Sequence, residues 1–406
     1  MTKRVRKWLS WVVKLGVCAA ALWYLSDKIT LEDRVRLQAD PSRTHRLLSE
    51  SPETLRIELG DAVGSVQEVR RSELATEEQL RQLGGGKRSI ERGLQSIARG
   101  IDWGWAGWAL LAAGPSVFIM AWRLRILLAT QSILLSARDA ILLTFAGNFF
   151  NFSLPGTTGG DLYKAYHIAR QTHKRTEGIT IVLLDRVIGL ISFLLIATGT
   201  ILVLWLLGKP MIGAYGKWVG YFMLAFIVAS CLFFSRRMRK WIRYEALLTR
   251  LPMADKLRRI DETALSVRFH TWPMAASLLG TFANHLMIVA SIYLLARGLG
   301  IHPHGNLRQT DLFLACLLAS SVGFLFAAVP ISVQGFGLLE AVFYKVLVEG
   351  GWASPSQMLA LTLSYRLVQV FWSLPGIIVP WLGFQRPSEE SLAATVDSAA
   401  GPLGAG

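Results

Sequence analysis

Long apolar runs separated by short polar breaks make up most of this chain, and one early stretch follows a different rule. Apolar segments cover residues 8–25, 103–122, 179–207, 218–234, 272–295 and 359–382. Each is close to the roughly 20 residues that an α-helix needs to cross a bilayer, so the pattern predicts about six spanning helices. Two more apolar segments, 141–154 and 311–329, run into a proline. The first would be only about 21 Å long as a helix, too short for a comfortable span, whereas the second is long enough to span alone. Behind the Pro155-Gly156 break come Thr157, Thr158, Gly159, Gly160, Asp161 and Lys164; behind Pro330 come Gln334, Gly335 and Glu340. A plain membrane helix has no use for that mixture. Irregular backbone at membrane depth persists only where protein buries it or where it lines a cavity. Both segments are therefore expected to be re-entrant helical hairpins, broken at Pro155, Gly156, Pro330 and Gly335.

Residues 26–102 are polar, mixed in charge and free of any spanning segment. Leu55-Arg-Ile-Glu-Leu59 alternates as a strand does, and 63–69 is a fitting partner. Residues 72–101 read as helical, interrupted at Gly84-Gly-Gly86. A small α+β insert outside the bilayer is expected. Residues 1–25 read as a basic cytoplasmic segment followed by a retained first helix, because no small-x-small cleavage site precedes Asp27. Residues 385–406 are rich in Pro, Gly, Ala and Ser and are expected to be a disordered tail.

Composition sharpens this picture of an all-α polytopic membrane protein. The chain is 52% hydrophobic, has 14 Trp suited to membrane interfaces, and carries a formal net charge of +15. The insert holds 13 Lys/Arg against 14 Asp/Glu, so the excess positive charge lies elsewhere, flanking the spans. That placement suits anionic lipid headgroups better than nucleic acid. The positive-inside rule puts Met1–Lys7, Arg123, Arg125, Arg138, Arg170, Lys174, Arg175 and the stretch 236–243 in the cytoplasm. The insert is then external and the protein sits in the cytoplasmic (inner) membrane with both termini inside. Parity gives the two hairpins opposite orientations. Units of about 103–208 and 272–384 thus form an inverted repeat, an architecture that places a substrate site near the bilayer midplane. Cys18, Cys231 and Cys316 lie in apolar segments with no Cys-x-x-Cys spacing, and no two of the seven His share metal-ligand spacing on one helix face. Neither a metal nor a cofactor is expected.

The candidate chemistry clusters at the breaks. Thr157, Thr158, Gly159 and Gly160 precede a helix, whose free N–H groups and partial positive charge suit a phosphate; a tight packed turn has the same composition. Lys164 lies one turn beyond Asp161, so the two either pair locally or divide the work of neutralising and orienting a phosphate. Asp185 and Arg186 lie inside an apolar helix, where ionisable residues are functional candidates by default. Adjacent helix positions point about 100° apart, so each needs a partner elsewhere; Arg366, Glu340 and Lys164 are the candidates. Such pairs either fix packing or serve phosphate binding through Arg186 and Arg366 and proton coupling through Asp185. Asn148, Asn151, Gln334 and Tyr365 line the same cavity or satisfy backbone freed by the helix breaks.

Several of these residues resemble one known family. Asn151-Phe-Ser-Leu-Pro-Gly-Thr-Thr-Gly-Gly-Asp161, Lys164-Ala-Tyr166, Leu184-Asp-Arg-Val-Ile-Gly189, Gln334-Gly-Phe-Gly-Leu-Leu-Glu340 and Ala121-Trp-Arg-Leu-Arg125 look like the transmembrane region of lysylphosphatidylglycerol synthases. That region also occurs without the synthase in flippase-like membrane proteins. The similarity covers roughly residues 103–384. It implies a module that moves an anionic phospholipid or a phosphate-bearing lipid carrier between leaflets. The soluble aminoacyltransferase domain of the full synthases has no counterpart after residue 384, so synthase activity is not expected. The insert departs from the family pattern. Two other functions remain open at this point: a membrane transferase acting on a lipid-linked substrate, and a non-catalytic membrane partner that recruits a protein through the insert.

Overall fold

A computed structural model of the protein describes residues 29–58, 66–82, 89–153, 159–208, 270–302, 309–327 and 335–382, with isolated residues 16, 221, 224, 258, 261–263 and 266. The expected spans 8–25 and 218–234, the basic stretch 236–243 and the tail 385–406 lie outside these residues.

The insert is a five-stranded antiparallel sheet built from β1 (Arg34–Val35), β2 (His45–Glu50), β3 (Thr54–Glu58), β4 (Val66–Arg70) and β5 (Ile90–Glu91), in the order β4-β3-β2-β1-β5. Alternation explains β3: Leu55 and Ile57 point to one face and are fully buried, and Val35 and Val69 join them. Burying each such side chain contributes about 1.5–3 kcal/mol. β3 pairs with β4 from Thr54–Arg70 to Glu58–Val66, as the alternating pattern suggests. The expectation of a helical 72–101 is corrected. Among the described residues there, a 3-10 turn (Arg71–Glu73) and two short helices form, α1 (Glu77–Gln82) and α2 (Leu94–Arg99), and β5 lies between the helices because Ile90 completes the sheet's apolar face. Both ends of the insert are fastened. The Thr30 N–H donates to Ser356 Oγ at 3.2 Å, and the Asp102 N–H donates to the Gly298 carbonyl at 2.9 Å.

The helical part comprises α3 (Trp103–Ala113), α4 (Pro115–Ala129), α5 (Ala137–Ser153), α6 (Gly159–Gln171), α7 (Arg175–Leu206), α8 (Thr271–Gly298), α9 (Gln309–Ala327), α10 (Leu338–Phe343) and α11 (Pro355–Ser373). α10 runs on as a π turn over Tyr344–Val348, and 3-10 turns at Leu374–Ile377 and Val379–Trp381 follow α11. Among the described residues, four stretches are long and apolar enough to cross a membrane: Trp103–Ala129, Arg175–Leu206, Thr271–Gly298 and Gln309–Ala327. Three observations change the expected span list. The 103–122 span runs on to Ala129, with Gly114-Pro115 marking the α3–α4 junction, because Pro fits the first turn of a helix. α9 qualifies as a span by length and composition, so 311–329 is not short in the way a re-entrant segment would be. The expected 359–382 span is α11 followed by the proline-bearing 3-10 turns, and it is not among the four. Trp103, Trp272 and Trp381 are each about three-quarters exposed near helix ends, as interfacial anchors are.

The chain divides into two compact units. The first comprises Met1–Ala113, Phe193–Val219 and Leu286–Gln369; the second comprises Gly114–Ser192, Gly220–His285 and Val370–Gly406. α7 and α8 each supply residues to both units. In the second unit, Leu124, Leu127 and Leu128 of α4 meet Leu143 of α5, Ile168 of α6 and Ile181 of α7 in one apolar core. Their i, i+3, i+4 spacing gives α4 its buried stripe.

Candidate functional site

In the second unit, α5 and α6 form a close helical hairpin. Ser136 opens α5: its Oγ accepts the Asp139 N–H at 3.0 Å and donates to Asp139 Oδ2 at 2.7 Å, a capping arrangement that explains the buried Asp139. At the far end Asn151 Oδ1 accepts the Gly160 N–H at 2.8 Å. Glycine is required at 160 by contact, because a Cβ there would run into the Gly147 carbonyl. Phe150 stacks on Tyr163 at 4.4 Å between centroids, which closes the two helices on each other.

Asp161, the third residue of α6, holds Arg186 of α7 at 2.5 Å, and both side chains are about one-quarter exposed. The neighbouring Asp185 faces elsewhere. Arg123 of α4 grips it through Nε and Nη2 at 2.7 Å each and also donates to Thr281 Oγ1 of α8 at 2.6 Å. Arg123 is 5% exposed. The candidate partners for Asp185 (Arg366, Glu340 and Lys164) are thus replaced by Arg123. Adjacent residues on one helix serve two different neighbours, as the 100° step demands. The local Asp161–Lys164 pair does not form, because Arg186 takes the carboxylate. Lys164 is 5% exposed, its stem lies across Gly147, and among the described residues its ammonium has no hydrogen bond or ion pair. Asn148 is half-buried on α5.

The first unit carries a second charged pair. Glu340, the third residue of α10, accepts Arg366 Nε at 3.1 Å and Nη2 at 2.8 Å through Oε1, and the Gly337 N–H at 2.7 Å through Oε2. Gly335 and Gly337 sit at φ of 72° and 85°, the left-handed region that glycine tolerates. The Arg366 guanidinium lies over the Phe336 ring at 3.6 Å. This pair is sealed, with side chains 9% and 2% exposed. Tyr365 is buried and its hydroxyl accepts Gln369 Nε2 at 2.8 Å.

The sequence-derived candidates therefore fall into two sets, one per unit. Gly159, Gly160, Asp161, Lys164, Asp185, Arg186, Asn148 and Asn151 belong to the second; Gly335, Glu340, Tyr365 and Arg366 belong to the first. Pro155, Gly156, Thr157, Thr158, Pro330 and Gln334 lie outside the described residues. Sequence reasoning missed Arg123, which looks like a basic span terminus; its place in Ala121-Trp-Arg was the available signal. It missed Thr281 and Gly147, which carry none. No group of three or more His, Cys, Asp or Glu that could hold a metal occurs among the described residues.

Among the described residues the insert carries an open groove of about 370 Å³, lined in part by Glu32, Asp33, Arg46, Glu50 and Arg92. Its charges largely answer one another. Arg46 pairs with Glu32, and Arg92 bridges Asp33 and Glu50.

Apolar helices of spanning length, with charged pairs and glycine-tight packing inside them, define a helical integral membrane protein. The chain belongs to the family described as the lysylphosphatidylglycerol synthase TM region, whose model matches residues 89–376, and no soluble synthase domain accompanies the match. No curated protein and no solved structure matches the chain.

Proposed function

We propose that the protein translocates a phosphate-bearing anionic lipid, a phospholipid or a lipid-phosphate carrier, between the leaflets of the cytoplasmic membrane. One observation carries this reading: the Asp161–Arg186 pair is left about one-quarter exposed at a helix break among apolar helices. A pair kept only for packing is expected to be more enclosed, as Arg123–Asp185 (6% and 13% exposed) and Arg366–Glu340 (9% and 2% exposed) are. Charge exposed to hydrocarbon is costly, so an open pair belongs on a polar cavity through which a headgroup passes. Membership of the flippase-like family is consistent with it.

In this mechanism α5–α6 is a re-entrant hairpin, α9–α10 is its counterpart in an inverted repeat with α9 long enough to span, the termini are cytoplasmic and the insert is external. Asp161 holds Arg186 while the site is empty, and the Arg123–Asp185 and Glu340–Arg366 pairs brace their own units. The headgroup phosphate then competes with Asp161 for Arg186, approaching past the small residues Gly159 and Gly160. The protein works as a transporter rather than as a transferase, and no nucleotide drives it.

Lipids retained through purification test this. Native mass spectrometry of the wild type is expected to reveal an anionic lipid that Arg186→Ala loses. Identical lipid sets on both proteins would contradict the reading and return Arg186 to a packing role.

A further inference from the structure

The hairpins of the two units are built on one plan. Each first helix carries a glycine against which the second helix packs, Gly147 in α5 and Gly323 in α9. Four residues later comes the residue that touches the start of the second segment: Asn151 meets Gly160, and Ala327 meets Gly335. The third residue of each second helix is the carboxylate, Asp161 or Glu340, and its arginine is the twelfth residue of the next long helix, Arg186 in α7 or Arg366 in α11. One chemical change breaks the correspondence. The sixth residue of the second helix, which lies over the packing glycine, is Lys164 in one hairpin and Phe343 in the other.

Phe343 is 1% exposed, an ordinary core residue. Lys164 is almost as buried, at 5%, but brings an ammonium with three donors and no acceptor among the described residues. Its stem packs over Gly147 as Phe343 packs over Gly323, but the ammonium is not among the fully enclosed polar atoms and keeps accessible surface; a hydrophobe stands at the same place in the sister hairpin, so packing alone does not account for a cation there. Its position one turn from Asp161 places an incoming anion beside Arg186. Resting on the translocation reading, we propose that Lys164 is the seat of the lipid phosphate and that the Phe343 hairpin is its silent counterpart, so that one hairpin binds one headgroup.

The test uses full-length protein in detergent with phosphatidylglycerol as the probe, and counts bound lipid by native mass spectrometry. The wild type is expected to take up one tightly held phosphatidylglycerol. Lys164→Met should weaken it roughly 10- to 100-fold, the loss of a charge-assisted hydrogen bond, while Lys164→Arg and Phe343→Met keep it. Unchanged retention by a folded Lys164→Met, or equal loss in Phe343→Met, overturns the assignment. If Lys164→Met does not fold, titrating wild type and Lys164→Arg decides: tight uptake of two lipids by both would refute the one-hairpin seat. Displacement of phosphatidylglycerol by millimolar inorganic phosphate would show a seat for free phosphate and overturn its assignment to a lipid. Lys164-dependent binding without movement between leaflets would sink translocation and leave the seat; movement that persists in Lys164→Met would do the reverse.

Discussion

Asp185 and Arg186 are adjacent in the chain, yet each answers to a different helix. Arg123–Asp185 is buried, and Arg123 also satisfies Thr281. Removing one member of such a pair leaves an uncompensated charge, at a cost of about 3–5 kcal/mol. Arg123→Ala is therefore expected to lower thermal stability in detergent by more than Arg186→Ala, whose partner Asp161 can turn to solvent. The double variant Arg123→Ala/Asp185→Ala should recover part of the loss. Equal destabilisation by the two single variants would refute the contrast. The sequence marks Asp185 and Arg186 as ionisable residues in an apolar helix, and helix geometry says that they cannot pair with each other. It does not name their partners, which lie 62 and 25 residues away and are chosen by packing. Arg123 was hidden by its place at the end of an apolar run, where a basic residue ordinarily meets water.

At the scale of the element, glycines separate close approach from open space. Gly160 has the Gly147 carbonyl against it, whereas Gly189 in α7 has nothing within 4 Å of where a Cβ would stand. Gly160→Ala is expected to loosen the α5–α6 hairpin and lower the melting temperature. Gly189→Ala should be neutral or stabilising by up to about 1 kcal/mol from helix propensity. Matching thermal shifts would contradict this. The insert adds a pH dependence. Burial opposes ionisation of Asp33, but hydrogen bonds from the Gly93 N–H, Arg92 and Ser96 outweigh it and hold the carboxyl below its usual range. A depressed folded-state pKa gives stability that is fully present above the unfolded value, about 3.9, and is lost as pH falls through the folded one. Hydrogen exchange in β1, β2 and β5 should therefore accelerate on acidification below about pH 4, and Asp33→Asn should flatten that response. The β3–β4 pairing was legible from alternation. The two-residue strands β1 and β5 were not, because so short a segment carries no period and forms only when the neighbouring strands supply its partners.

At the scale of the whole molecule, the proline and glycine breaks mark where α5 gives way to α6 and α9 to α10, but the two compact units are not legible in the sequence, because α7 and α8 contribute to both. The insert is tied through Thr30–Ser356 and Asp102–Gly298 to helices of the first unit, and the Asp161–Arg186 pair lies in the second. Replacing residues 31–101 with a short flexible linker is expected to leave lipid movement intact. Lost function in a correctly folded deletion would instead favour recruitment of a protein partner through the insert. Transbilayer movement itself is the most direct measurement. The purified protein would be reconstituted into phosphatidylcholine vesicles containing a fluorescent phosphatidylglycerol, with loss of inner-leaflet label followed after quenching from outside. Movement faster than in empty vesicles, slowed in Arg186→Ala, is the predicted result. A rate equal to that of empty vesicles for phosphatidylglycerol and for a labelled polyprenyl phosphate alike would contradict translocation.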